Sequence, residues 1–398
     1  MAILKTIWIL AQVLIGFNLV FPLLLAGLNV MLRLIHPQKR SYTSMADQAD
    51  YGIIVTAYEQ TAQLPAVVAS ILTMNYERCI IYIVADKCDI SDLHFDSEKV
   101  MLLRPETPLA SNTGSHFYAI DRFIRPHQRL TIVDSDNLVH PEYLNELNKQ
   151  FDKGYIAVQG VREAKNLDTM YACLDAARDK YYHYYDGKML FGAGASATLA
   201  GSGMAFTTEL YKACLGGMII DGPGFDKVLQ YEILKRGHRI AFAPEALVYD
   251  EKTSRPEQLV NQRARWIQSW FRYFKYGFGL IGKGIARLSW NQLLFGIVLL
   301  RPPLFMFLLA GILALIIDLF ISPITAGIWA IGFGLFIVGF MIALMSSRTD
   351  QRIYRSLSGI PRFITLQMLS LIRARHAGKY SVATKHDGIL NSELKKSL

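Results

Sequence analysis

Three short apolar runs in this chain each end in acidic residues: Ile53-Ile54-Val55-Thr56-Ala57 leads into Tyr58-Glu59, Tyr82-Ile83-Val84 into Ala85-Asp86, and Thr131-Ile132-Val133 into Asp134-Ser135-Asp136. One acid after a strand is commonly a turn former or a helix cap. Three such sites together suggest a shared task. The Asp-x-Asp spacing puts both carboxylates on one side of an extended segment, where they can hold a hard divalent ion that also binds a diphosphate. That outlines a site for a nucleotide or a nucleotide-sugar. A diphosphate leaving group gathers negative charge as its bond breaks, so a divalent cation and a guanidinium lower the barrier where charge develops. A single displacement then needs one carboxylate base near the acceptor.

Short β-branched runs alternate with longer helical stretches between Tyr51 and Tyr273, which predicts an α/β domain with a mostly parallel sheet. Strands are expected at Gly52–Thr56, Ile80–Val84, Val100–Leu103, Leu130–Val133 and Ile156–Gln159, and helices at Ala62–Leu72, Phe117–Ile124 and Glu142–Gln150. In such sheets the ligand sits beyond the carboxyl ends of the strands, where the acidic clusters fall.

The chain has 398 residues, of which 52% are hydrophobic and only 19% charged, with a net charge of +9. This excludes fibrous, disordered and disulfide-scaffold proteins. The four cysteines, at positions 79, 88, 173 and 214, have no paired spacing that would suggest zinc or a disulfide framework. The apolar excess gathers in long runs near the two ends. Ile7–Leu34 exceeds the roughly 20 residues needed to cross a bilayer and is too long for the core of a cleaved signal peptide. Leu293–Phe320 is broken at Arg301-Pro302-Pro303, which predicts an interface helix followed by a span over Leu304–Phe320; Ile324–Met345 is a third span. Basic residues flank the first and third spans (Arg33, Lys39, Arg40 and Arg348 to Arg375), and the loop around Ser322 and Pro323 has none. The positive-inside rule then places the middle of the chain in the cytoplasm, at the inner face of a cell membrane. Membrane orientation accounts for the basic charge, and no nucleic-acid partner is expected. In the last stretch Ile360, Phe363, Ile364, Met368, Leu369 and Ile372 recur at helical spacing beside arginines, as in an interfacial amphipathic helix. The expected organisation is a membrane helix over 1–40, a globular domain over 41–280, an interface helix and two spans over 281–347, and an amphipathic helix and tail over 348–398.

The motifs Ile53 to Glu59, Val84 to Asp89, Asp134-Ser135-Asp136, Gly201-Ser202-Gly203, Gly224-Phe225-Asp226 and Gln262-Arg263-Ala264-Arg265-Trp266 stand in the order found in membrane-bound family 2 glycosyltransferases. The chain resembles the synthases of cellulose, hyaluronan, chitin and poly-N-acetylglucosamine over essentially its whole length. The resemblance implies a Rossmann-like GT-A fold and an inverting transfer that depends on Mn²⁺ or Mg²⁺. It implies that Thr56, Ala57, Tyr58, Glu59 and Asp86 cradle the uridine of a UDP-sugar, that Asp134 lies near sugar and nucleotide, and that Asp136 binds the metal. Asp226 would be the general base. Arg265 would lie near the diphosphate, with Gln262 and Trp266 closing the site over the acceptor and Gly201, Ser202 and Gly203 approaching it. The implied acceptor is a growing polysaccharide. Ceramide glucosyltransferases share the Gln-x-x-Arg-Trp element and a similar layout of spans, so transfer of one sugar to a lipid is the alternative. A non-catalytic nucleotide-sugar sensor is the reading outside the enzymes. Two spans after the domain make a thin frame for a polymer channel, which homo-oligomerisation or interface helices would complete.

Three departures from the family pattern bear on the donor. Phe225-Asp226 stands where many members carry Glu-Asp, and Asp221 is a rival base. Asn112-Thr113-Gly114-Ser115-His116 lacks the usual Gly-Lys, leaving Arg104 or His116 to replace that lysine. The run Tyr181-Tyr182-His183-Tyr184-Tyr185 reads as a helix face at a protein or lipid boundary.

Overall fold

A computed structural model describes residues 2–35, 49–218, 220 and 222–375; Asp221, Lys39, Arg40 and the tail after Arg375 lie outside them. Eight strands form one sheet: β1 (Tyr51–Tyr58), β2 (Cys79–Asp86), β3 (Val100–Leu103), β4 (Arg129–Asp134), β5 (Leu138–Val139), β6 (Ala157–Ala164), β7 (Met204–Thr207) and β8 (Ile240–Asp250). Their order across the sheet is β3-β2-β1-β4-β7-β6-β8-β5. The first four strands in this order are parallel, with Thr56 level with Val84 and Asp134. β7 runs antiparallel to both β4 and β6, so the sheet is mixed. Every residue of β2 is buried, as expected of a parallel strand covered on both faces.

Neighbouring side chains on a strand point to opposite faces, and the sheet accordingly has two cores. Ile53, Val55, Ile81, Ile83 and Val133 pack under helices α2 (Leu64–Leu72) and α4 (Tyr143–Phe151). Ile54, Tyr82, Val84 and Ile132 face the other way and share a core with Phe21 and Leu25 of the first helix, α1 (Ala2–Ile35). The domain and the base of α1 are thus one hydrophobic unit. Helix α3 (Asn112–Ile120) starts earlier than the sequence pattern suggests, because Ser111 caps it by accepting from the Gly114 amide at 3.2 Å.

The chain then runs through α5 (Met170–Tyr182), a π-helix over His183–Met189, a single turn α6 (Leu190–Gly192), α7 (Thr208–Leu215), α8 (Phe225–Lys235) and α9 (Pro256–Tyr273). Helices α10 (Tyr276–Ala286) and α11 (Trp290–Leu300) follow, then α12 (Leu304–Ile321), α13 (Pro323–Met345), α14 (Gln351–Ser356) and α15 (Ile360–Ala374). The stretch before the Arg301 break is built into the main core through Leu294 and Phe295 of α11. Three helices, Ile3–Ile35, Leu304–Ile321 and Pro323–Met345, are long and apolar enough to cross a membrane. Gln12 ties them together, donating to Asp318 of α12 at 3.3 Å and accepting from the Trp329 indole of α13 at 3.0 Å. The tyrosine run forms a boundary between protein and span: Tyr185 donates to the Gly339 carbonyl of α13 at 2.7 Å, and Tyr181 packs on Phe336 and Phe340. Helix α15 lays Phe363 and Ala374 against α9 and leaves Ile372, Leu369 and Met368 exposed, an amphipathic division.

His116 is buried against Phe225, with Nδ1 2.7 Å from the Tyr211 hydroxyl. Burial pushes its pKa from 6.5 down to about 3, and burial also lowers that of His183 to about 4. The unfolded chain therefore takes up these protons first as the solution is acidified. The stability they contribute is complete above pH ~6.5 and is lost as the pH falls toward the folded values. The thermal midpoint of the detergent-solubilised protein should fall between pH 7 and pH 5, and fall less in His116→Asn. Equal slopes for the two proteins would rule out the His116 contribution.

Candidate functional site

The carboxyl ends of β1 and β4 open into one continuous cavity of ≈ 1030 Å³. Thr56, Tyr58, Asp134, Asp136, Gly201, Asp226, Gln262, Arg265 and Trp266 all line it. The strand register makes this convergence necessary, since Thr56 and Asp134 are paired neighbours. Gly224, with φ +104°, is the residue that caps α8 and so directs Asp226 of its first turn into the cavity. A Cβ at Gly224 would also lie 2.6 Å from the Tyr273 ring, so no other residue fits there without strain.

The Asp-x-Asp loop is held from behind. Ser202, fully buried, accepts from the Asp134 amide at 3.1 Å and from the Asn137 side chain at 2.7 Å. Lys165 donates to the Asp136 carbonyl at 3.2 Å. Ser202 therefore positions the acids from the layer beneath rather than lining the cavity. Gly203 likewise lies underneath, where a Cβ would meet Val248 at 2.8 Å.

The other expected site residues have specific places too. Asp86 is buried, and its two oxygens accept from the Leu109 and Ala110 amides at 2.9 and 2.7 Å, anchoring the loop that leads into α3. Glu59 is half-exposed in an ion pair with Lys87 at 2.6 Å. Glu59, Lys87 and Ala110 all have positive φ, a cluster of uncommon backbone at the strand ends of the kind seen at functional sites. Ala57 is a buried strand residue. His116 cannot replace a phosphate-binding lysine, because its burial keeps it neutral and it lies outside the cavity wall.

Several cavity residues carry no motif. Arg162 at the end of β6 bonds Asp250 at the end of β8, and donates to the Ala200 carbonyl at 2.8 Å. Lys252 bridges Asp250 and Asp179 of α5 at 2.7 and 2.5 Å, and Arg178 pairs with Asp179 at 2.8 Å. Trp266 lies between two guanidinium groups, with Arg263 4.0 Å and Arg178 4.9 Å from its ring centre. A signal for Asp250 existed in the sequence, since Tyr249-Asp250-Glu251 repeats the pattern of acids after a β-branched run. The α5 acids had no such signal beyond their shared helix face.

Burial raises the Asp134 pKa to about 7, aided by Asp136, opposed by Arg162 and raised further by Asp250 and Asp226. The site is thus short of positive charge. Asp179 and Asp250 are held below the ordinary range despite burial, by Lys252, Arg178 and Arg162 for the first and by Arg162 and Lys252 for the second. Among the described residues no three Asp, Glu, His or Cys side chains form a complete metal cage. Hard carboxylate oxygens under mutual repulsion suit Mg²⁺ or Mn²⁺, with the remaining ligands drawn from diphosphate oxygens and water.

Past Asp179 and His183 the cavity continues to Asp186 and Arg301, which pair at 2.8 Å, and then between the apolar helices, where Leu308, Ile312, Phe333, Phe336 and Ile337 line it. Ile312 and Ile337 are also exposed on the outer surface of those helices. A polar reaction chamber and an apolar one share a single space.

The family model "Glycosyltransferase like family 2" matches residues 48–269, over half of the chain. Among solved structures, the mannosyltransferase PcManGT from Pyrobaculum calidifontis, in complex with GDP-Man and Mn²⁺, superposes with a TM-score of 0.53 at 14% identity. The match covers 91% of this chain and 99% of that one, and at this identity it establishes the GT-A fold. S. aureus TarS, also 14% identical, matches 58% of this chain and 40% of its own with a TM-score of 0.37. A sequence search of curated proteins finds no match.

Replacing Gly224 with Ala should destabilise the protein by roughly 1–3 kcal/mol, the cost of forcing a side chain into that conformation. Chemical denaturation in detergent would measure it, and a neutral result would show that α8 can start without left-handed backbone.

Proposed function

Since the chain belongs to the family 2 glycosyltransferases, we propose that it transfers a sugar from a UDP-sugar to the hydroxyl of a lipid-anchored acceptor at the inner face of a cell membrane, with inversion and with a divalent cation. The observation that carries this reading is the single cavity that joins Asp134, Asp136 and Asp226 to the faces of α12 and α13. A lipid tail fits its lower half and the reacting hydroxyl its upper half.

In this reading Thr56 and Tyr58 hold the nucleotide, with Ala57, Glu59 and Asp86 shaping the loops around it. Asp136, with Asp134 beside it, holds the cation. That cation, when bound, neutralises charge on the diphosphate. Arg265 supports the leaving group, and Trp266, stiffened between Arg178 and Arg263, offers its indole to the C–H face of the acceptor sugar, with Gln262 and Gly201 beside it. Asp226 takes the acceptor proton as the hydroxyl oxygen attacks the anomeric carbon and UDP departs with the bonding pair. Lys227 lies 3.2 Å from Asp226 and keeps that carboxylate charged and ready to accept.

The polysaccharide acceptor and the silent sensor predict different products. UDP release would be measured with a panel of UDP-sugars and Mn²⁺ or Mg²⁺ in the presence of membrane lipids, and the products sized by mass spectrometry. One added sugar on a lipid is the expected result. A ladder of masses one sugar apart would establish polymerisation, and binding without turnover would establish the sensor.

Asp226→Asn should lower turnover by ~10²-fold or more, the usual contribution of a general base, while UDP binding stays intact. Near-normal turnover would place the base elsewhere, with Asp221 the next to test. Asp136→Ala should instead weaken cation-dependent UDP binding in calorimetry, and an unchanged titration would remove Asp136 from the cation site.

A further inference from the structure

Between the carboxylates and the apolar chamber, the cavity wall carries Arg263, Trp270 and Arg301. The side chains of Arg263 and Arg301 are only 3% and 7% exposed. Each is matched in charge by an acid of the α5 and π-helix segment, Arg263 by Asp175 and Arg301 by Asp186. Those pairings use one guanidinium nitrogen on each arginine. Arg263 Nε and Nη1, Arg301 Nε and Trp270 Nε1 are buried without an acceptor. Tyr182 lies within electrostatic reach of both Arg263 and Arg301, which places these groups around one stretch of wall.

An unpaired buried donor costs about 1–3 kcal/mol, and four together point to a ligand that the empty neck lacks. A hydroxyl-rich sugar would supply a new donor with each acceptor. A phosphate supplies acceptors alone, and guanidinium groups bind its oxygens with charge-assisted hydrogen bonds. We propose that the acceptor lipid carries a phosphate ester between its apolar chain and its hydroxylated headgroup, and that Arg263, Arg301 and Trp270 hold that phosphate. This rests on the lipid-anchored acceptor proposed above. The phosphate then marks the join of the two chambers: the chain lies among Leu308, Phe333 and Phe336 below it, and the hydroxyl reaches Asp226 above it.

A matched pair of acceptors tests this: an isoprenoid phosphoryl hexose, and the same hexose joined directly to the isoprenoid alcohol. With the detergent-solubilised full chain, kcat/KM should favour the phosphoryl compound by ~10-fold or more, as expected when charged hydrogen bonds are gained. The double variant Asp186→Asn/Arg301→Gln removes the ion pair without stranding a buried charge and should reduce that preference. Arg301→Lys, which keeps the charge and loses the Nε donor, should do so in part. The preference is a ratio within one preparation, so partial loss of folded protein does not alter it, and the unaltered chain alone decides the main point. Sugar-free isoprenyl phosphate should compete with the acceptor, and inorganic phosphate at the same concentration should not. Equal use of both lipids would overturn the phosphate subsite and leave the lipid acceptor standing. Use of neither, with extension of a soluble oligosaccharide, would overturn both. Competition of isoprenyl phosphate with the UDP-sugar, or equal competition by inorganic phosphate, would assign the arginines to another anion and overturn the proposal.

Discussion

The crowding of carboxylates at the strand ends is the constraint on which the rest of this structure depends. Asp134, Asp136, Asp226 and Asp250 face one cavity, and the raised Asp134 pKa records what that costs. Such an arrangement persists only if buried cations hold it and the backbone leaves no slack. Arg162 and Lys252 supply the charge, and Ser202 and Lys165 hold the loop from beneath. Gly224 aims the fourth acid. The acids are thereby kept apart from one another and turned toward a common point, an arrangement suited to binding a cation and a diphosphate together.

The second constraint is mechanical. The sheet has no separate membrane anchor, because Phe21 and Leu25 of α1 belong to the same core as Ile54 and Tyr82. The π-helix after α5 then makes two further joints, Tyr185 to Gly339 of α13 and Asp186 to Arg301 at the head of α12. π-helical turns are rare and occur often at functional sites. Here the wider turn sets Tyr185 toward the span and Asp186 toward the cavity. A shift of the spans would move the wall of the reaction chamber directly, so the membrane helices and the chemistry are coupled by packing.

The elements with strong patterns were legible from residues alone. β3 spans Val100–Leu103 as its β-branched and apolar run predicts, β1, β2 and β4 extend their expected cores by one to three residues at either end, and the two later spans fall where hydropathy places them. Burial on both faces of a parallel strand leaves an unbroken apolar run, and a bilayer demands a long one, so both leave local marks. The strands β7 and β8 had weaker patterns, because Met204–Thr207 is short and Ile240–Asp250 is interrupted by Pro244 and Glu245. The start of α3 depended on a single capping hydroxyl.

For the site, the sequence by itself determined the acids at the strand ends, the Gln-x-x-Arg-Trp helix and the order of the motifs, since each arises from the local rule that strand ends and loops carry the chemistry. Only the tertiary structure decided what stands opposite them. It turned Asp86 and Ser202 inward as supports, made His116 a neutral core residue, and brought Arg162, Asp179, Asp186 and Arg301 to the cavity from four separate elements. The physical reason is that an ion pair is a relation between distant positions: Arg301 and Asp186 are 115 residues apart, and nothing in the neighbourhood of either names its partner. The joining of the reaction chamber to the space between the membrane helices is of the same kind, created by the packing of α5, α9, α12 and α13 and visible in none of them alone.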